Sequence, residues 1–312
     1  MPGGFSNTTH GEGVQRGVGY AVGFKNIGYS EGFDDYSTAR VRLYVVEGRP
    51  RVEVHSAAAE VGQGLVTVQA QIAATELGVD DVVVLNASAE VGSAGSSSAS
   101  RQTYITGGAV RAAAAAVRER VAELSRAELG EGESVSLATL LGDAVIEETR
   151  VFRPRKTHHL DPETGQAEAH MQFAFAAHRA VVDVDTELGL VKVVELATAQ
   201  DVGKAINPLA IQGQLEGGAA QGLGLAVMEE IQVKDGVIRN PSFTDYLLPT
   251  ILDMPPLKMD ILELGDPNSP YGLKGVGEPP TISSGPAIVA AIRAATGRDV
   301  NRVPVRPYDI TP

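Results

Sequence analysis

Residues 201–230, DVGKAINPLAIQGQLEGGAAQGLGLAVMEE, decide how the chain is read. Taken as a helix over 211–229, the segment places Gln214, Gly217, Gly218 and Gln221 on one face. Each interior glycine costs a helix about 1 kcal/mol relative to alanine, so a helix carrying so many needs a compensating contact. Either another backbone packs closely there or a large flat ligand approaches, and the pattern by itself leaves both open.

Strands flank this segment on both sides. Upstream, Val182 and Val184 precede a turn at 186–189, and Val191 and Val193 return, which reads as a hairpin. Downstream comes a short hairpin around Asp235-Gly236, then the proline-punctuated NPSFTDYLLPTILDMPP, then alternating Leu257, Met259 and Ile261. A last helix is predicted from Pro286, with Ser284 and Gly285 near its N-cap and Gly297 past its final turn.

The first half repeats the mixture. GVGYAVGFKNIG reads as a glycine-interrupted strand, and Val41, Leu43 and Val45 pair across a turn at 47–50 with Val52 and Val54. EVGQG, 60–64, then leads into a helix striped by Leu65, Val68 and Ile72, whose free N-terminal N–H groups favour an anion. The serine-rich loop GSAGSSSASRQ, 92–102, runs through TYITGGAV into an alanine-rich helix over 109–129. Small hydroxyl residues with one arginine ahead of a helix suit a phosphate. The spacing is not that of a dinucleotide-binding GxGxxG loop. The fold class expected is α+β, with mixed sheets, hairpins and about four substantial helices. Residues 1–15 read as a loose segment and 16–312 as the folded unit, with a subdomain junction near 127–180. The adjacent His158 and His159 in that stretch read as a solvated loop rather than a metal pair.

Composition narrows the function. A net charge of −13 argues against nucleic acid, which needs a basic surface. No apolar run reaches the roughly 20 residues of a membrane span, and the first residues lack the pattern of a signal peptide, so cytoplasmic residence is expected. With no cysteine, the chain cannot ligate an iron–sulfur cluster through thiolates.

One more stretch carries chemistry. GVGEPP, 275–280, sets Glu278 between glycines and prolines in what reads as a loop, and Pro279 biases Glu278 toward extended or turn geometry. A carboxylate so presented and desolvated can act as a general base near neutral pH; a solvated turn glutamate is the plainer alternative.

EVGQG, SSSASRQ, DVGKAINP…GQLEGGAAQGLG, FTDYLLPT and KGVGEPP, in this order, resemble the molybdenum-binding subunit of the xanthine dehydrogenase and aldehyde oxidase family. GFKNIGYSEGFDDYSTARV looks most like its xanthine dehydrogenase side. The resemblance runs from about Arg16 to Gly297 and implies the fold of the second half of that family's molybdenum-binding domain. It implies a molybdopterin cofactor with molybdenum, either as such or as the cytosine dinucleotide. Gly62 and Gln63 match a pair lining the pterin and metal site, and Ala99, Ser100 and Gln102 match a loop cradling the cofactor. Val61, Gly64, Ser98, Arg101 and Gly277 belong to the same cofactor-lining segments, Gln214 matches a glutamine that hydrogen-bonds the pterin, and Glu278 matches the catalytic glutamate.

The activity so implied is oxidative hydroxylation of an N-heterocycle with water as oxygen source, Glu278 acting as base on the metal-bound hydroxyl. An aldehyde or carbon monoxide dehydrogenase component is the alternative within the class, and a non-catalytic cofactor-carrying or assembly fragment the alternative outside it. Members of the family have a longer molybdenum subunit, whose first half has no counterpart here. The chain is therefore expected to be a C-terminal portion, inactive alone. Its expected partners are a chain carrying the N-terminal half, an iron–sulfur subunit and an FAD subunit.

Overall fold

The structure, a computed structural model, describes residues 13–128 and 135–312. The chain begins with β1 (Val14–Ile27), β2 (Ser37–Val46), β3 (Arg49–Ser56), α1 (Leu65–Leu77), β4 (Val82–Val84) and α2 (Gln102–Glu128). It continues with α3 (Leu137–Leu141), β5 (Ile146–Phe152), β6 (Gln172–Asp185), β7 (Leu190–Asp201) and α4 (Pro208–Val227). The last part holds β8 (Val233–Lys234), β9 (Val237–Ile238), β10 (Leu257–Leu262), α5 (Pro279–Thr296) and α6 (Pro307–Ile310). The class is α+β, and the substantial helices are α1, α2, α4 and α5. Most of the expected loose segment lies outside the described residues; β1 takes up its last two positions, Val14 and Gln15.

Two sheets organise two cores. The first has the order β1-β6-β7-β10, antiparallel except for the parallel β7–β10 pair, and α5 packs across β1 and β6 with α4 against it. Inward residues of β6 and β7 such as Val182, Val184 and Leu196 meet Leu223 of α4 and Ile288 of α5 there. The second sheet, β4-β3-β2-β5, is covered by α1 and α2, with Val41, Leu43, Val52 and Val54 facing Ile72, Val110 and Val117. Period-2 alternation in the strands against period-3.6 stripes in the helices accounts for both layers. A smaller cluster including Ile27, Tyr104, Ile105 and Leu273 joins the halves.

Close backbone packing accounts for part of the glycine-rich helix. A Cβ on Gly222 would lie 1.8 Å from Ser284 Oγ and 2.8 Å from the Gly285 nitrogen, and one on Gly218 would lie 2.5 Å from Pro280 Cβ. These two glycines let α4 and α5 cross closely. Gly213 and Gly217 instead face open space.

Three local expectations need correction. The β2–β3 turn is the two-residue Glu47-Gly48, both at positive φ, as a tight antiparallel hairpin requires, so Arg49 and Pro50 belong to the strand. Helix α2 starts at Gln102 rather than near 109: Gly107 and Gly108 read as loop formers, yet a Cβ on Gly108 would press on the Phe152 ring, so that glycine serves packing. Helix α5 starts at Pro279 rather than Pro286, because prolines are tolerated in a first turn whose N–H groups have no intrahelical partner.

Candidate functional site

A cleft of about 470 Å³ opens between the two halves. The second-sheet half contributes Gln63 and the 97–103 loop; the first-sheet half contributes the start of α4 with Gln214, and the 273–278 segment. Gln63, Ser100, Gln214 and Glu278 all line the cleft.

Glu278 is the N-cap of α5, at φ −103° and ψ −29°, so it lies near the helical region and not in the extended geometry its following proline favours. Its Oε2 accepts from Ser100 Oγ at 2.9 Å and sits 3.0 Å from Lys25 Nζ, while its own N–H donates to Ser100 Oγ at 3.0 Å. Ser100 and Ala99 both have positive φ, 51° and 54°, conformations costly for residues with a Cβ and held here by surrounding contacts. One such contact is Gly28 N–H donating to the Ala99 carbonyl at 2.9 Å. The other is Gly275, whose backbone passes so close that a Cβ there would lie 1.8 Å from the Ser100 carbonyl oxygen. Gly277 fills a different need: a Cβ there would project toward Ser100 Oγ and Gln214 Oε1, into the cleft. The Gln214 side chain lines the cleft and has no hydrogen-bond partner among the described residues.

Arg101 borders the cleft, but its head group is engaged elsewhere. Its guanidinium is fully buried, paired with Asp35 and bonded to the carbonyls of Ala94, Ser96 and Tyr36, so all five N–H donors are engaged and none remains for a phosphate. Its role is to pin the loop from inside. Gln102 does likewise, donating to the Ser96 carbonyl at 3.0 Å and accepting from Thr106 Oγ1 at 2.5 Å. Ser98 contributes to a surface hydroxyl network, 2.5 Å from Ser96 Oγ, which in turn lies 2.6 Å from Tyr29 Oη.

The start of α1 also differs from expectation. Its N–H groups are not free: Glu60 Oε1 accepts from Gly62 and Gly64 at 2.7 and 3.0 Å, and Oε2 accepts from Val66 at 2.9 Å. Burial pushes the Glu60 carboxyl up, but these N–H donors outweigh it and hold it below its ordinary value. Gln63 closes the same turn, accepting from Val61 N–H at 2.6 Å and donating to the Ala59 carbonyl at 2.8 Å, and Val61 stays exposed at the rim. An internal carboxylate thus holds the position offered to an anion. Lys25, Asp35 and Glu60 were not legible as site residues, because what marks each is a partner rather than a motif.

The free amide of Gln214 and the space kept clear by Gly277 face the cleft, which fits the polar edge of a planar cofactor. The molybdopterin cofactor-binding domain family matches residues 5–255. The xanthine dehydrogenase molybdenum-binding subunit of Escherichia coli O157:H7 is 32% identical over 82% of this chain and 37% of its own length. Subunit gamma of the 6-hydroxypseudooxynicotine dehydrogenase complex of Paenarthrobacter nicotinovorans is 32% identical over 83% of this chain and 36% of its own. Among solved structures, quinoline 2-oxidoreductase from Pseudomonas putida 86 superposes with a TM-score of 0.82 at 29% identity, covering 96% of this chain and 42% of that one. The chain spans about two fifths of the length of these relatives, all named as oxidoreductases or their subunits. A family match over most of the sequence, on a cleft built as described, places this chain in the molybdopterin cofactor-binding domain family.

Proposed function

We propose that this chain is the base-bearing part of a molybdenum hydroxylase that acts on an N-heterocycle. The observation that carries the reading is Glu278: one carboxylate oxygen is anchored by Ser100 and Lys25, and the group lines a cleft across from the free amide of Gln214. Overall, C–H becomes C–OH with oxygen from water, releasing two protons and two electrons. The molybdenum–pterin group supplies, when bound, the electron-pair acceptor and the acidification of water. Glu278, as the carboxylate in the cleft, would serve as the general base toward a water proton. Gln214 would hold the cofactor edge through its unpaired amide, and Gly277 would leave room for it. Ser100 fixes the carboxylate, and the buried Arg101–Asp35 pair fixes Ser100.

The relatives' names include xanthine dehydrogenase and quinoline 2-oxidoreductase, both heterocycle enzymes, which supports that substrate class. Electrons would leave through iron–sulfur clusters and FAD on partner chains, in the cytoplasm, and a further chain would carry the rest of the large subunit. The test is Glu278→Gln in the assembled complex. Removing a general base lowers turnover by about 10²–10⁴-fold, with molybdenum content unchanged. Turnover retained by the variant would refute the base and favour the non-catalytic carrier.

A further inference from the structure

Lys25 stands in β1, far along the chain from Glu278, and its side chain is only 20% exposed. Its ammonium donates to the Asn26 carbonyl at 2.5 Å and to Asn26 Oδ1 at 3.3 Å, and it forms an ion pair with Glu278 Oε2 at 3.0 Å. Ser100 Oγ donates to the same Oε2 at 2.9 Å, whereas Oε1 has no donor among the described residues. A half-exposed ion pair, with Glu278 46% exposed, contributes little to stability, so its value is geometric.

The asymmetry assigns different tasks to the two oxygens. A proton arriving at Oε2 would have to displace a charged or a hydroxyl donor; one arriving at Oε1 displaces nothing. We propose that Lys25 is a positioning residue which, together with Ser100, holds Oε2 so that Oε1 is the oxygen that receives the proton. This rests on Glu278 being the base. The two contacts come from different halves of the fold, Lys25 from the first sheet and Ser100 from the loop preceding α2, so Oε2 is held from both.

The test uses the assembled complex with Lys25→Met, Lys25→Arg and Glu278→Gln, and xanthine and quinoline as substrate probes. A zero-length carbodiimide joins contacting ammonium and carboxylate groups as an amide with loss of water. Peptide mapping should find the Lys25–Glu278 link in the wild type and not in Lys25→Met, whether or not either probe turns over. Because misplacement by about 1 Å costs up to about 10²-fold, Lys25→Met should lower kcat at least ~10-fold with KM changed less than ~2-fold, and Lys25→Arg should return to within ~3-fold of wild type. Glu278→Gln should collapse with either lysine variant. Absence of the wild-type link, or full kcat in Lys25→Met while Glu278→Gln is dead, overturns the role of Lys25 alone. Full activity in Glu278→Gln overturns the base and the positioning role together.

Discussion

Gly275→Ala is the sharpest perturbation this architecture offers. The added methyl would start 1.8 Å from the Ser100 carbonyl oxygen, against the 3.4 Å at which ordinary contact begins, a shortfall of about 1.6 Å. The obstacle is backbone, so no side-chain rotation relieves it. Either the 273–278 segment retreats or the 97–101 loop does, and overpacking of this kind costs about 1–3 kcal/mol. Both retreats also separate Ser100 from Glu278, whose two mutual hydrogen bonds are 2.9 and 3.0 Å and cannot survive an added ångström. Activity should then fall by about 10²-fold, in line with the cost of misplacing a catalytic group by about 1 Å. Urea denaturation measures the first effect and steady-state turnover of the assembled complex the second. A variant with an unchanged midpoint and unchanged turnover would show that the approach of Gly275 to Ser100 has no part in holding the site.

Asp35→Ala leaves the fully buried Arg101 guanidinium without its counter-charge, and breaking such a pair from one side costs about 3–5 kcal/mol, to be read as a lowered denaturation midpoint. A loss below about 1 kcal/mol would contradict the burial. His178, on β6, is buried with Nδ1 2.8 Å from Ser283 Oγ, and burial pushes its pKa from 6.5 down to about 4. Since the unfolded chain takes up that proton first, stability is intact above about pH 6.5 and falls as pH drops toward 4, by about 3 kcal/mol at most from this group. His178→Gln should flatten that part of a stability–pH profile, and an unchanged slope would refute the assignment.

The regular elements were legible where periodicity is local. The hairpin at 182–193, the strand at Leu257–Leu262 and the glycine-rich helix follow from side-chain alternation and spacing alone. The starts of α2 and α5 were not, because Gly107-Gly108 and Pro279-Pro280 are loop residues by propensity and helix residues by context: Phe152 fills the space beside Gly108, and a first turn does not miss the prolines' N–H groups. Within the site, Glu278 stands out between glycines and prolines and Gln214 on a glycine-rich helix face, whereas Ser100 enters only through the family resemblance. Arg101 was misleading for a physical reason: an arginine in a serine-rich loop looks like a phosphate ligand until Asp35, remote in sequence, is seen to occupy it. The start of α1 misleads similarly, since a helix N-terminus invites an anion without saying that the chain supplies its own in Glu60.

The same pairings explain why the site needs both halves. Glu278 rides on α5 and hence on the first sheet, while Ser100 rides on α2 and the second. Their relative position is set by contacts that cross between the cores. Tyr271 Oη donates to Glu76 at 2.6 Å, and Glu76 also pairs with Arg118 at 2.6 Å and Arg111 at 3.3 Å. Arg111 in turn stacks 4.6 Å over the Tyr271 ring. Within the first half, Gln172 Nε2 bonds Asp266 at 2.9 Å and the Leu273 carbonyl at 3.0 Å, tying β6 to the segment that leads into Gly275. The carboxylate is therefore aimed by an interface within the chain and not by its own loop. A loop built of glycine and proline could not hold that aim alone, because a single backbone segment with no cross-links has nothing to resist rotation.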